Sequence, residues 1–424
     1  MLNHLRTLLL LIGLFPVMAS GQDGTSPSLL DRIQPVIGVQ IWTSYTTGAE
    51  VFDQTEARYE AVDNRINTQL RRSRLGFRAS VTDDIEIVVI SSADFIGRDV
   101  LAGTLGGANN GGSPSLRIWD AYVRWRFNAL DQPLFLGVGY LAPQFGREAT
   151  TSPFRVTSME KAFSMNYIRR HLTGIGPGRA AGLQIGGFYL NPEQNLALQY
   201  HGGIFNPVYE ALSGNTTGQA FAPLLTGRVI VMIGDPEMRR YSTAYTINHF
   251  GERRGVSVAF SGAYQGKTDL FETNTASGMD ILLNWGPWNF DTEFAWLRRE
   301  GVGETFKATA TTAHVRLSYN IDLPNGRIIE PVIMAMQYNG AKSATKQAQA
   351  SQVRMPAGSD HHLDIGVNLY LNRNKLKLSL HYTMQDGDAG AAGPGATVNN
   401  YFVQGGAGAI RRGDWLGVGA VVIL

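Results

Sequence analysis

Lys375-Leu376-Lys377-Leu378-Ser379-Leu380-His381-Tyr382 sets leucine and tyrosine on even positions and lysine, serine and histidine on odd ones. Leu75-Gly76-Phe77-Arg78-Ala79-Ser80-Val81 alternates in the same way with the opposite parity. A period of two is that of a β-strand with one apolar and one polar face. The same alternation predicts sixteen strands, at 35–45, 67–82, 84–95, 115–127, 133–141, 178–190, 195–205, 224–233, 255–265, 277–286, 289–299, 307–319, 327–338, 361–371, 375–384 and 414–424. Their lengths are near the roughly 9–11 residues with which a tilted strand crosses a bilayer.

The connections alternate too. Those after strands 1, 3, 5, 7, 9, 13 and 15 are long and rich in Gly, Ser, Thr and Asn, whereas most after even strands are as short as Thr82-Asp83-Asp84 or Asn372-Arg373-Asn374. Long loops on one rim and tight turns on the other are the pattern of an outer-membrane barrel. The link after strand 11 is shorter than its neighbours on that rim, and residues 234–254 are too long for a tight turn, which makes them an ordered excursion on the turn side. The expected fold class is therefore all-β, a transmembrane antiparallel β-barrel of about sixteen strands.

Composition agrees. The 424 residues carry 37 Lys+Arg against 35 Asp+Glu, 44% apolar residues and 49 glycines, with a mean hydropathy of −0.10. This balance argues against a disordered chain, a nucleic-acid binder and a helical membrane protein. With no cysteine, thiol catalysis, Cys-based zinc sites and disulfides are excluded. Residues 1–21 read as a secretory signal: Arg6 precedes an apolar run from Leu8 to Met18, and Ala19-Ser20-Gly21 supplies the small residues of a cleavage site. The expected domains are this signal and a barrel over 22–424, in which 142–177 is the longest loop after a mid-barrel strand. Tyr45, Trp119, Trp125, Phe127, Tyr140, Tyr189, Tyr264, Trp285, Trp296, Tyr319 and Tyr338 fall on the apolar parity near strand ends, where they would form interfacial girdles.

Several stretches resemble the phosphate-selective porin O and P family of Gram-negative outer membranes. They are Arg71-Arg72-Ser73-Arg74-Leu75-Gly76-Phe77, Asp120-Ala121-Tyr122-Val123, Gly139 to Glu148 followed by Met159-Glu160-Lys161, Gly203-Ile204-Phe205-Asn206, and Leu363 to Asn372 followed by Lys375-Leu376-Lys377-Leu378. Pro207 and the terminal Leu424 depart from the family pattern. The resemblance implies a sixteen-stranded porin, a third outer loop, about 142–177, that folds inward and sets the constriction, a homotrimeric assembly in outer-membrane lipid, and passage of small anions or other hydrophilic solutes. It implies no cofactor, metal or nucleic-acid partner.

In a porin the chemistry is electrostatics at a constriction. Parity points Arg72, Arg74 and Arg78 of the second strand and Arg124 and Arg126 of the fourth into the lumen, with Arg228, Arg316, Lys375 and Lys377 beyond them. The inward anions are Glu86, Asp94, Asp120, Asp280, Asp291, Glu293 and Asp364. In a ring of sixteen, strand 10 lies opposite strand 2, so Asp280, Asp291 and Glu293 form an acidic wall across from the arginines, which implies a transverse field. The loop 142–177 adds Arg147, Arg155, Lys161, Arg169 and Arg170, with Arg179 at its exit, against Glu148 and Glu160. A cationic constriction favours anions, and arginine forks suit phosphate or carboxylate.

Catalytic signals are thin. Gly176-Pro177-Gly178-Arg179-Ala180-Ala181 fits a loose dinucleotide pattern but follows a loop and enters a strand. Asp360-His361-His362 offers metal-ligand types, but adjacent side chains on a strand diverge, so a loop-edge pair of solvated histidines is expected. The competing readings are a barrel enzyme of lipase type, for which lumen-facing His201, His314 and His381 are poorly placed, and a secreted soluble β-protein that binds glycans.

Overall fold

The computed structural model describes residues 32–53, 55–99, 101–102, 114–129, 132–174, 176–207, 218–388, 403–404 and 408–424. The expected signal segment 1–21 lies outside the described residues. All sixteen predicted strands are present: β1 Ile33–Thr47, β2 Arg65–Ser80, β3 Ile85–Ser92, β4 Arg117–Ala129, β5 Gln132–Leu141, β6 Ala180–Asn191, β7 Leu196–Asn206, β8 Leu224–Gly234, β9 Arg254–Gln265, β10 Thr273–Trp285, β11 Trp288–Glu300, β12 Lys307–Tyr319, β13 Ile328–Asn339, β14 Ser359–Asn372, β15 Leu376–Asp388 and β16 Asp414–Ile423. Each pairs antiparallel with its sequence neighbour, and β1 closes the ring on β16 from Gly38↔Ile423 to Thr47↔Asp414. Closure leaves no unpaired edge within this ring, as a membrane interior requires.

The turns follow from local chemistry. Trp285 pairs with Trp288 across the two-residue Gly286–Pro287 link, and Gly286 has φ +58°. A left-handed first position is what a primed two-residue turn needs, and glycine adopts it without steric cost.

The polarity is inside-out. Leu75 is 59% exposed and Trp296 55%, and with Val123, Ile185, Val229, Phe260, Val315, Ile365 and Val418 they form an outward apolar belt. A contiguous surface of this kind marks contact with lipid rather than water. The soluble glycan-binding reading does not fit it. Tyr45, Trp125, Tyr189, Tyr264, Trp285 and Trp296 are exposed on that surface as expected, and Trp288 and Tyr319 join it edge to face. Two girdle assignments are corrected: Trp119 and Tyr338 face the lumen. Tyr338 is fully buried and stacks on Tyr167 at 3.7 Å.

Candidate functional site: a folded-in loop and an arginine-lined cavity

Residues 142–174 leave β5 and cross the lumen, bearing two helices, α1 Arg147–Thr150 and α2 Ser164–Thr173. Phe145, Phe163, Tyr167, Ile168 and Leu172 form one buried cluster with Leu297, Met334, Met336 and Tyr338 of β11 and β13. Burying side chains of this size contributes roughly 1.5–3 kcal/mol each. Ion pairs set the position along the wall. Arg147 bonds Asp280 at 3.1 Å and Glu237 at 2.6 Å. Glu148 accepts from Arg316 at 2.7 Å and from the Ala162 N–H at 2.7 Å. Glu160 accepts from both Arg71 and Arg72. The loop entry depends on Gly146: its φ is +72°, and a Cβ there would lie 2.6 Å from Glu293 Oε2. That carboxylate also takes the Glu148 N–H at 2.9 Å.

The excursion after β8 has a clear role. Residues 235–253 turn back into the same lumen from the short-turn rim and meet the loop. Tyr245 bridges Thr151 as a short parallel pair, Gln144 donates to the Thr243 carbonyl at 3.4 Å, and Glu237 holds Arg147. Tyr241 stacks on Phe135 at 4.4 Å, while Asn248 donates to Glu330 at 2.9 Å. Two inward segments, one from each rim, therefore fill the β7–β14 side of the barrel.

Against β1–β6 lies a cavity of about 240 Å³. Six arginines line it: Arg74, Arg78, Arg124, Arg155, Arg169 and Arg179. Three are paired, Arg74 with Asp94 at 2.5 Å, Arg124 with Glu86 at 2.6 Å and Arg179 with Asp120 at 3.2 Å. Among the described residues Arg78, Arg155 and Arg169 have no carboxylate partner. Burial, then the like charges of Arg179, Arg72 and Arg74, pull the Arg169 guanidinium down to about 9. Burial and Arg78 lower Arg155 in the same direction. Both shifts express positive charge held without enough counter-charge.

Two β-bulges build this geometry, and strict parity missed both. Gln40 pairs with Arg72 and Ile41 with Leu70, which leaves Arg71 as an extra residue turned inward beside Arg72. Ile90 pairs with Asp120 and Ser91 with Ile118, so Trp119 is extra. Its ring enters the lumen, with the Arg74 and Arg179 guanidiniums each 3.9 Å from its centroid. A signal existed. Apolar parity runs even at Ile66 and Leu70 and odd at Leu75 and Phe77, and it switches again between Ile118 and Val123.

The remaining expected residues scatter. Arg72 is buried against Glu160. Arg126 is exposed and bonds Asp84 at 2.8 Å near the turn rim. Lys375 is corrected: it sits exposed in the Arg373–Lys375 turn and does not line the wall. Lys377 is buried and donates to the Val156 carbonyl at 2.8 Å, and Lys161 donates to the Thr151 carbonyl at 2.7 Å, so both hold the loop. Asp280, Asp291 and Glu293 occupy the expected side but are covered: Arg147 and Arg228 pair with Asp280, Arg316 and His314 with Asp291, and the loop backbone with Glu293. The acidic wall is thus an anchor, and the cations carry the field in the open cavity.

Ser164, His314 and Asp291 form a hydrogen-bonded relay at 3.3 and 2.9 Å. Ser164 is fully buried and lines none of the described cavities, so the relay is part of the loop's attachment. Glu148, Asp291 and His314 also bring possible metal donors within 4.8 Å of one another, but the Arg316 guanidinium already bridges both carboxylates. His361 and His362 diverge as expected, but they lie within β14 rather than at a solvated loop edge, and His362 is buried and pairs with Asp360 at 2.8 Å.

Comparison with known proteins converges on this architecture. No curated sequence matches. Among solved structures, the outer membrane channel DcaP of Acinetobacter baumannii aligns over 92% of this chain and 97% of its own with TM-score 0.54 and 13% identity. The anion-selective porin from Comamonas acidovorans aligns over 92% and 99% with TM-score 0.53 and 12% identity. Pseudomonas putida OprB aligns over 93% and 95% with TM-score 0.55 and 10% identity. Identities this low establish the shared barrel alone. The family described as phosphate-selective porin O and P matches residues 44–392. With the inverted polarity and the folded-in loop, that match makes this chain a member of the phosphate-selective porin O and P family, an outer-membrane channel.

Proposed function

We propose that the channel passes small hydrophilic solutes by passive diffusion with a mild preference for anions. The observation that carries this is the cavity in which Arg78, Arg155 and Arg169 lack a carboxylate partner among the described residues. A wall with uncompensated cations raises the local anion concentration and lowers the barrier to anion entry. The anion-selective description of the Comamonas porin, which shares the barrel, is consistent with it. Phosphate is one anion that guanidinium forks accept. The route is export by a signal over residues 1–21 and assembly as a homotrimer in outer-membrane lipid, both following from the leader pattern and the family. A lipase-type activity is disfavoured by the burial of Ser164 and the inward placement of His201, His314 and His381.

The test is planar-bilayer recording of the purified protein in a KCl gradient, repeated with added phosphate. A reversal potential displaced toward that of chloride is expected. A displacement toward potassium would overturn the reading, and block by phosphate at low concentration would add a specific phosphate site. Cross-linking in detergent reads the subunit number, with a trimer expected.

A further inference from the structure

We infer that the solutes best held in the arginine-lined cavity are small organic carboxylates with an apolar, ring-sized body, in preference to inorganic phosphate or short acids such as acetate. This rests on the anion reading above. A porin lumen is ordinarily polar, yet here the inward positions of β3, β4 and β5 present Ile90, Tyr122, Phe135 and Leu141 to the cavity, and Phe154 of the loop closes the same side. Beside this surface stand Arg78, in register with Val88 next to Tyr122, and, from the loop, Arg155 and Arg169. The site is therefore amphipathic, with apolar side chains and guanidiniums interleaved around one space, Tyr122 itself standing between Asp120 and Arg124 on β4.

Inorganic phosphate carries oxygen on every side. Seated here, it would satisfy the arginines but turn hydrated oxygens against Ile90, Phe135, Leu141 and Phe154, which return no hydrogen bond, at a desolvation cost. Acetate matches the charge and leaves most of the apolar surface wet. A carboxylate on a ring matches both kinds of neighbour, with its oxygens in the guanidinium forks and its body against Ile90 and Tyr122. Size agrees: a cavity of roughly 150 Å³ accepts benzene, and the space here is about 240 Å³.

The experiment records chloride current through the full-length protein in symmetric KCl while benzoate, acetate or inorganic phosphate is added. Benzoate should halve the current at a concentration on the order of tenfold below that required of acetate or phosphate, because only its ring removes apolar area from water. In Ile90→Ser and Tyr122→Ser channels the benzoate half-block should rise toward the acetate value measured in the same variant. Acetate or phosphate blocking as well as benzoate in the wild-type channel, a comparison that needs no variant, would overturn the inference. So would variants whose benzoate-to-acetate ratio stays that of the wild type. A channel that is cation-selective in the KCl gradient would instead sink the anion reading beneath it, whereas anion selectivity without benzoate preference would sink this inference alone.

Discussion

Arg316 is the bond on which the docked loop should depend most. Its guanidinium donates to Asp291 Oδ1 at 3.0 Å and Oδ2 at 2.9 Å, to Glu148 Oε2 at 2.7 Å and to Ser158 Oγ at 2.8 Å. All four residues are buried. Arg316→Met keeps much of the volume and leaves the Glu148 carboxylate without its guanidinium beside an Asp291 held by His314 alone. Removing one partner of a buried ion pair costs about 3–5 kcal/mol. Part of that is relieved when the loop leaves, because Glu148 then reaches water while Asp291 keeps His314. Taking the low end, about 3 kcal/mol at 1.4 kcal/mol per tenfold raises the undocked population roughly 100-fold. The chain has no cysteine, so Ser164→Cys, at a fully buried loop position, supplies a single label. Its modification by a water-soluble thiol reagent should be about 100-fold faster in the Arg316→Met background. Arg126→Met serves as control, since its exposed pair with Asp84 is worth only about 0–1 kcal/mol. If Arg316→Met speeds labelling no more than Arg126→Met does, the pair does not hold the loop and the reasoning fails.

Acid should loosen the same attachment. Burial pushes the Glu148 carboxyl up, but Arg316, His314 and Lys161 outweigh it and hold it below the usual 4.5, and Arg71 and Arg72 do the same for Glu160 against its burial. Carboxyls lowered on folding stabilise the docked loop above about pH 4.5 and lose that contribution as pH falls through the lowered values, so the Ser164→Cys labelling rate, divided by the reagent's rate with free cysteine at the same pH to remove the loss of thiolate, should rise from pH 5 to pH 3; a flat ratio refutes this. Arg78→Gln with Arg155→Gln should bring the KCl reversal potential toward zero, and an unchanged potential would separate selectivity from the cavity. On the outer belt, Leu75→Arg should cost about 2–4 kcal/mol near the bilayer midplane, read as a lower heat-modification midpoint on detergent gels, whereas Arg126→Leu near the rim should leave the midpoint nearly unmoved.

The barrel was legible because each wall strand obeys a local rule. Lys375 to Tyr382 needs only the period of two to show which face meets lipid and which meets water, and the sixteen segments repeat that rule with tight turns between alternate pairs. Parity also placed Arg74, Arg78, Arg124, Asp280, Asp291, Glu293, His314 and Arg316 inside, as found. It failed where the ladder gains a residue. At Arg71 and Trp119 the bulges add one position to one strand, and at Lys375 the strand begins one residue later than expected.

Residue order alone therefore settled the wall, since alternation and turn length are properties of neighbours in the chain. The use of the lumen was a matter for the folded molecule. Arg147 reaches Asp280 across 133 positions and Arg316 reaches Glu148 across 168, and no periodicity spans such distances. Those long-range pairs turn an acidic wall into a mooring for the loop. The excursion of residues 235–253 is folded inward by the same kind of contact, and Arg78, Arg155 and Arg169 are left facing the space that both segments leave open.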